Sequence, residues 1–123
     1  MEFKISRAFL SQIETLISEN KSLELLLLLE DIHFADIAEI MGELDDFGAG
    51  YIFKTLDSEK TAEILLELDE EVREKILSNL TPKEIAEELD ELSTDDAADI
   101  IGELTKHLKD QVISELEDVE HAK

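Results

Sequence analysis

The sequence predicts an all-α fold, a superhelix (solenoid) of short helices built on a helix-turn repeat of roughly twelve residues. Three observations predict it. Leucine falls at 44, 56, 68, 80, 92, 104 and 116, a constant step of twelve. Within each step the apolar residues usually occupy positions five or six, eight, nine and twelve, the i, i+3, i+4, i+7 spacing of one helix face. Pro occurs once and Gly four times in 123 residues, too few for the turns of an all-β chain, while Leu, Ile, Glu, Lys and Ala dominate as helices require.

The elements come in order along the chain. Residues 3–17 carry apolar side chains at 5, 9, 10, 13, 16 and 17, a longer amphipathic helix, and Glu19-Asn20-Lys21 breaks it. Residues 22–30 contain LELLLLLE, which reads as a helix buried against the first hairpin of the repeat. Residues 1–32 therefore cap the repeat. From HFADIAEIMGEL (33–44) onward the ruler holds through TKHLKDQVISEL (105–116). The last seven residues, EDVEHAK (117–123), read as a polar tail or a truncated linker.

Each unit predicts a helix of about nine residues, roughly 13 Å long, and a turn of about three. Such helices are too short to persist alone. They must stack, and short connections fold neighbours back into 24-residue hairpins that stack in turn. Thr81-Pro82-Lys83-Glu84 reads as a helix start, with Thr81 as N-cap, Pro82 as first helical residue and Glu84 as capping-box partner. Ser93 and Asp96 repeat the device. Asp45, Asp57 and Asp69 stand where N-caps or first-turn acids are favoured. An alanine followed by an acid marks alternate units at Ala38-Glu39, Ala62-Glu63 and Ala86-Glu87. Ala98-Asp99 comes out of turn, so the third hairpin is expected to pack differently.

Charge narrows the function. The chain carries 33 acids against 11 bases, a net charge of −22. Nucleic-acid phosphates and anionic lipid would be repelled. A cation, a basic protein partner or plain solubility fits. Cysteine is absent, which excludes disulfides and thiolate metal sites. The longest apolar run, residues 25–29, is far short of the ~20 residues of a membrane span, so no direct membrane insertion is expected. An apolar share of 43% suffices for one core.

The chemistry concentrates in STDDAADIIGEL (93–104). Asp95 and Asp99 are spaced i, i+4 and share one helix face. Carboxylate oxygens suit a hard cation, and two carboxylates about 6 Å apart in water repel by under ~1 kcal/mol. Magnesium keeps several waters and takes one or two direct carboxylates, so such a site needs no dense cage. Asp96 serves the helix start. The clusters Asp69-Glu70-Glu71 and Glu87-Glu88 read as solvated faces.

The phrases HFADIAEIMGEL, TAEILLELDEEVREKIL and TPKEIAEELDELSTDDAADIIGEL resemble the intracellular N-terminal domain of MgtE-type magnesium transporters and channels, over about residues 10–116. The resemblance implies a right-handed superhelix, followed in that family by a pair of CBS domains, a connecting helix and a membrane pore. It implies a cytosolic, soluble regulatory domain that senses magnesium. Ions bridge its acidic surface to the CBS domains when magnesium is high, and the pore closes. It implies Mg²⁺ as a regulatory ligand, weakly held by this domain alone, and a homodimeric full-length protein on the cytoplasmic side of the cell membrane. Carried over residue by residue, the family's metal contacts fall on Glu63 in TAEI and on Asp95 and Asp99 in DDAAD. Thr61 replaces the first alanine of the family's AAEV and leaves Glu63 in place.

Other residues carry less. His33, His107 and His121 share no metal-ligand spacing, and His33, at a helix start, reads as structural. Phe3, Phe9, Phe34, Phe47, Tyr51 and Phe53 read as core. The glycines match no phosphate-loop pattern, and Gly48-Ala49-Gly50 reads as a place of close helix packing or a flexible start to that helix. No nucleophile–base arrangement suggests an enzyme. The alternative is a helical-repeat scaffold for a basic protein partner, resembling a flagellar rotor switch domain.

Overall fold

A computed structural model describes the backbone of residues 5–122 and the side chains of residues 5–117. The described residues form nine helices and no strand. These are α1 (Arg7–Ser18), α2 (Ser22–Leu29), α3 (Phe34–Glu43), α4 (Asp46–Thr55), α5 (Ser58–Glu67), α6 (Glu70–Ser78), α7 (Pro82–Asp90), α8 (Thr94–Glu103) and α9 (Lys106–Ala122). The first two residues of the expected helix at 3–17, and Phe3 with them, lie outside the described residues.

Six of the seven ruler leucines stand at or just past a helix end, and Leu116 lies within α9. Leu44, Leu56, Leu68 and Leu104 are the extended C-cap residues of α3, α4, α5 and α8. The next residue then opens the following helix as its N-cap. The Asp45 carboxylate accepts from the Gly48 N–H at 2.7 Å, and the Asp57 carboxylate from the Lys60 N–H at 3.0 Å. Gly48 leaves that cap undisturbed, because a Cβ on it would sit 3.1 Å from the capping oxygen of Asp45 and press it aside. Asp69 holds the N-cap position of α6 without a side-chain cap bond. His33 caps α3, its Nδ1 accepting from the Ala35 N–H at 3.1 Å.

The capping box on α7 is complete. The Glu84 N–H donates to the Thr81 hydroxyl at 3.1 Å and the Thr81 N–H donates to Glu84 Oε1 at 2.9 Å. On α8 only half of the device forms. The Asp96 N–H donates to the Ser93 hydroxyl at 3.3 Å, without a return bond. Aspartate is one methylene shorter than the glutamate that normally reaches back. Thr81→Ala should lower stability by about 1 kcal/mol, a fall of roughly 4 °C in melting temperature. Thermal unfolding monitored by circular dichroism checks it, with Thr81→Ser expected to recover most of the loss.

Alternate helices stack. α3 packs on α5, α5 on α7 and α7 on α9, while α4 packs on α6 and connects to α3. Ala38, Ala62 and Ala86, spaced by 24, are all buried in the odd-numbered stack. Their small side chains let the helix backbones approach closely. The acid after each, Glu39, Glu63 and Glu87, is exposed. Core positions along the stack are Ile40, Ile64, Ile85 and Val112, each 0% exposed.

α8 departs from the pattern, as its out-of-turn alanine suggested. It buries only Ile100 and leaves Ala98 exposed. α9 also departs. It continues as helix to Ala122, through the segment read as a tail. That segment has no Gly, Pro or capping residue to stop it.

At the other end α1 packs on α2 and α4. α1 stops at a Schellman turn. Asn20 takes a positive φ of 57°, and the Asn20 and Lys21 N–H groups donate back to the Ile17 and Leu16 carbonyls at 3.0 and 2.9 Å. The Tyr51 hydroxyl, on α4, donates to the Asn20 side-chain oxygen at 2.6 Å and lies 2.9 Å from the Ser22 hydroxyl. That tie fixes the corner. The leucine-rich α2, read as a helix buried against the first hairpin, packs closely on α1 and is covered on one face only. Leu25 and Leu29 are covered, but Leu23 is 71% and Leu27 62% exposed. No described side chain covers the face that carries Leu23 and Leu27.

Candidate functional site

The metal candidates of the sequence lie on two different helices, α5 and α8. Glu63 is exposed on α5, in the acid row with Glu39 and Glu87. Asp95 and Asp99 are exposed on α8, one turn apart on the same side. α5 and α8 are not among the closely packed pairs. Among the described residues no three His, Asp or Glu side chains form a group that could hold a metal ion. A hard cation would therefore find carboxylate oxygens here but not a complete shell. Asp95 and Asp99 can supply one or two ligands and leave the others to water or to a second surface. Asp96, half-buried, gives its backbone N–H to the cap and its charge to the first turn.

Of the aromatic residues read as core, Phe53 is buried, and Phe9, Phe34 and Tyr51 are partly so. Phe47 is not; it is 70% exposed on α4, with Tyr51 beside it at 6.3 Å between ring centroids. Position three of a unit points outward, and no neighbouring helix covers it. His107 is exposed; the His121 side chain lies outside the described residues.

Two polar positions escaped the sequence reading. Position eight of the unit is Ile40, Ile52, Ile64, Ile76, Ile100 and Val112 in six of the repeats, all buried. In the remaining one it is Glu88, which is only 8% exposed. The reading of Glu87-Glu88 as a solvated face holds for Glu87 and fails for Glu88. Glu88 faces Thr61, position five on α5, whose equivalents on the other stacked helices are Ile37, Ile85 and, on the last, Lys109. Thr61 is 0% exposed, and its Oγ1 lies 2.7 Å from both carboxyl oxygens of Glu88. Burial pushes the Glu88 carboxyl up from 4.5 to about 7. The Thr61 hydrogen bond pulls the other way, and Glu91, Glu87 and Asp57 add repulsion. The break in the ruler at position eight is the signal that could have found it.

The second is Arg73, at position five of α6. Its Nε and Nη2 donate to the two oxygens of Glu103 on α8 at 2.9 and 2.8 Å. Its Nη1 donates to the Leu65 and Leu68 carbonyls at the end of α5, both at 2.9 Å. One mostly buried guanidinium thus joins three helices and holds α8, with its acidic face, in place.

No described helix is long and apolar enough to cross a membrane. A family model described as the MgtE intracellular N domain matches residues 32–123. The match begins where the ruler begins and leaves α1 and α2 outside it. It starts later than the residue 10 that the resemblance suggested, and it runs past Leu116. No curated protein matches the chain.

Proposed function

The chain belongs to the family of MgtE intracellular N domains, and from that premise we propose that it is the magnesium-sensing regulatory domain of a magnesium transporter or channel. The observation that carries the proposal is the outward face of α8. It presents Asp95 and Asp99 together, with Ala98 and Gly102 also exposed and no bulky side chain between them. A flat acidic face suits a second acidic surface with hydrated ions in between.

The physics is a population shift. Net charge of −22 repels another acidic domain. Divalent ions between the two surfaces offset that repulsion and favour the docked state, because they bind it better than the separated one. Asp95, Asp99 and Glu63 are the residues on this side that would meet the ion. They would hold it through carboxylate oxygen and keep part of its water shell. The CBS domains and pore of the same polypeptide are the proposed partners, in a homodimer at the cytoplasmic side of the membrane. The role is regulatory rather than enzymatic.

The test uses the full-length polypeptide in its membrane. Protease protection of this domain is measured across a magnesium series at constant ionic strength. Protection should rise with magnesium. Glu63→Gln or Asp95→Asn should move its midpoint upward roughly tenfold, the loss of one carboxylate contact to a divalent ion after screening. Equal midpoints in wild type and both variants would remove these residues from the mechanism.

A second reading has one observation in its favour. Leu23, Leu27 and Phe47 are large apolar side chains left in solvent, as on scaffolds that dock other proteins. An antibody to this domain that finds a soluble band near 14 kDa, and none in membranes, would favour the scaffold.

A further inference from the structure

We propose that the Thr61–Glu88 pair makes the α5–α7 joint a proton-sensitive contact, closed by the neutral acid and loosened when Glu88 ionises. This contact is independent of the magnesium reading.

The repeat shows what is unusual. Thr61 and Glu88 meet as position five of α5 and position eight of α7. The same two positions hold Ile37 and Ile64 on α3 and α5 and Ile85 and Val112 on α7 and α9, all buried. Between them stand Thr61 and Glu88, two polar departures that meet each other. An aliphatic pair would seal this contact without any titrating group.

Hydrogen-bond arithmetic then separates the two protonation states. A threonine hydroxyl has one hydrogen. Around Thr61 Oγ1 stand four acceptors: Glu88 Oε1 and Oε2 at 2.7 Å, the Asp57 carbonyl at 3.2 Å and the Ser58 carbonyl at 3.3 Å. With Glu88 neutral, its own proton goes to Thr61 Oγ1, and the threonine hydrogen goes to a backbone carbonyl. The chain of donors is complete. With Glu88 ionised, the threonine must turn to the carboxylate. One buried charged oxygen is then left without this donor, which is costly.

The surroundings do not offset that charge. The charges acting on Glu88 are Glu87 and Glu91 on its own helix and Asp57 at the start of α5, all acidic. Among the described residues of α9, which packs on the other side of α7, Lys106, His107, Lys109, Asp110, Glu115 and Glu117 are not among the charges acting on it.

Linkage gives the sign. A carboxyl raised from 4.5 to about 7 on folding binds its proton more tightly in the folded state. Its contribution is fully present below about 4.5 and is lost as pH rises through about 7. The folding constant should fall by on the order of a hundredfold across that window.

Two measurements on the 123-residue chain test it. Urea midpoints are taken from pH 5 to 9 at fixed ionic strength for wild type, Glu88→Gln and the double variant Thr61→Ile with Glu88→Ile. Wild type should weaken toward pH 8 relative to both variants, which lack the titrating group. Parallel pH curves would overturn the proposal. Carbon-detected magnetic resonance of the glutamate carboxyls supplies a readout that needs no variant to fold. One carboxyl should titrate near pH 7. Ordinary titration of every glutamate between about pH 4 and 5 would also overturn it.

Discussion

Replacing Arg73 with alanine should cost about 3 kcal/mol of stability, far more than a surface ion pair is worth. Exposed pairs contribute about 0–1 kcal/mol. Arg73 is different because its fork satisfies four acceptors at 2.8–2.9 Å: two oxygens of Glu103 and the carbonyls of Leu65 and Leu68. Alanine leaves a partly buried carboxylate without its cation and two helix-end carbonyls without a donor. Unmet charged groups of this kind cost several kcal/mol. It also removes one of only 11 bases from a strongly acidic chain. Arg73→Lys should recover less than half, since an ammonium cannot present the planar fork. Urea unfolding of both variants, combined with Glu103→Gln in a double-mutant cycle, measures the pair. A loss below about 1 kcal/mol for alanine, the range of an exposed pair, would mean that water replaces the guanidinium at no great cost. The same change should loosen α8 first. Amide exchange in residues 94–103 should accelerate more than in α3 or α4.

Ile64→Ala should be as damaging, by about 3 kcal/mol. Ile64 occupies position eight on α5, with 0% exposure, and α5 packs against both α3 and α7. Truncation removes buried aliphatic surface and leaves a cavity that two neighbouring helices cannot both close. In a stack of repeats, stability is a sum of unit terms and neighbour contacts. A central cavity therefore weakens two interfaces at once. Val112→Ala, at the equivalent position near the end of the stack, affects one interface and a smaller side chain. It should cost about half as much. Equal losses at the two sites, measured by urea unfolding, would argue against a nearest-neighbour account.

Much of this architecture was legible because a twelve-residue helix-turn unit writes its rules locally. A leucine closing the units from α3 to α8, an N-cap directly after it and one apolar face per helix are set by residues close in sequence. Hence the helix boundaries from His33 to Glu103, the caps at Asp45, Asp57 and Thr81, and the buried alanines at 38, 62 and 86 come from spacing alone. The acidic face of α8 was legible for the same reason, since i, i+4 fixes a common side.

The remainder depended on which surfaces meet. LELLLLLE is apolar nearly all round, so only the packing of its neighbours decides that Leu25 and Leu29 are covered and Leu23 and Leu27 are not. Phe47 stays in solvent because no helix lies over position three of α4. Arg73 and Glu103 are ordinary charges in the sequence, 30 residues apart. They become a joint only when α5, α6 and α8 converge. Glu88 looks like one more acid among 33. Its position in the unit turns it toward Thr61, across 27 residues of chain. Sequence by itself determined which face of each helix is apolar, because that is a matter of angle along one chain. Tertiary structure decided which polar side chains the stack would bury, because desolvation depends on what packs above them.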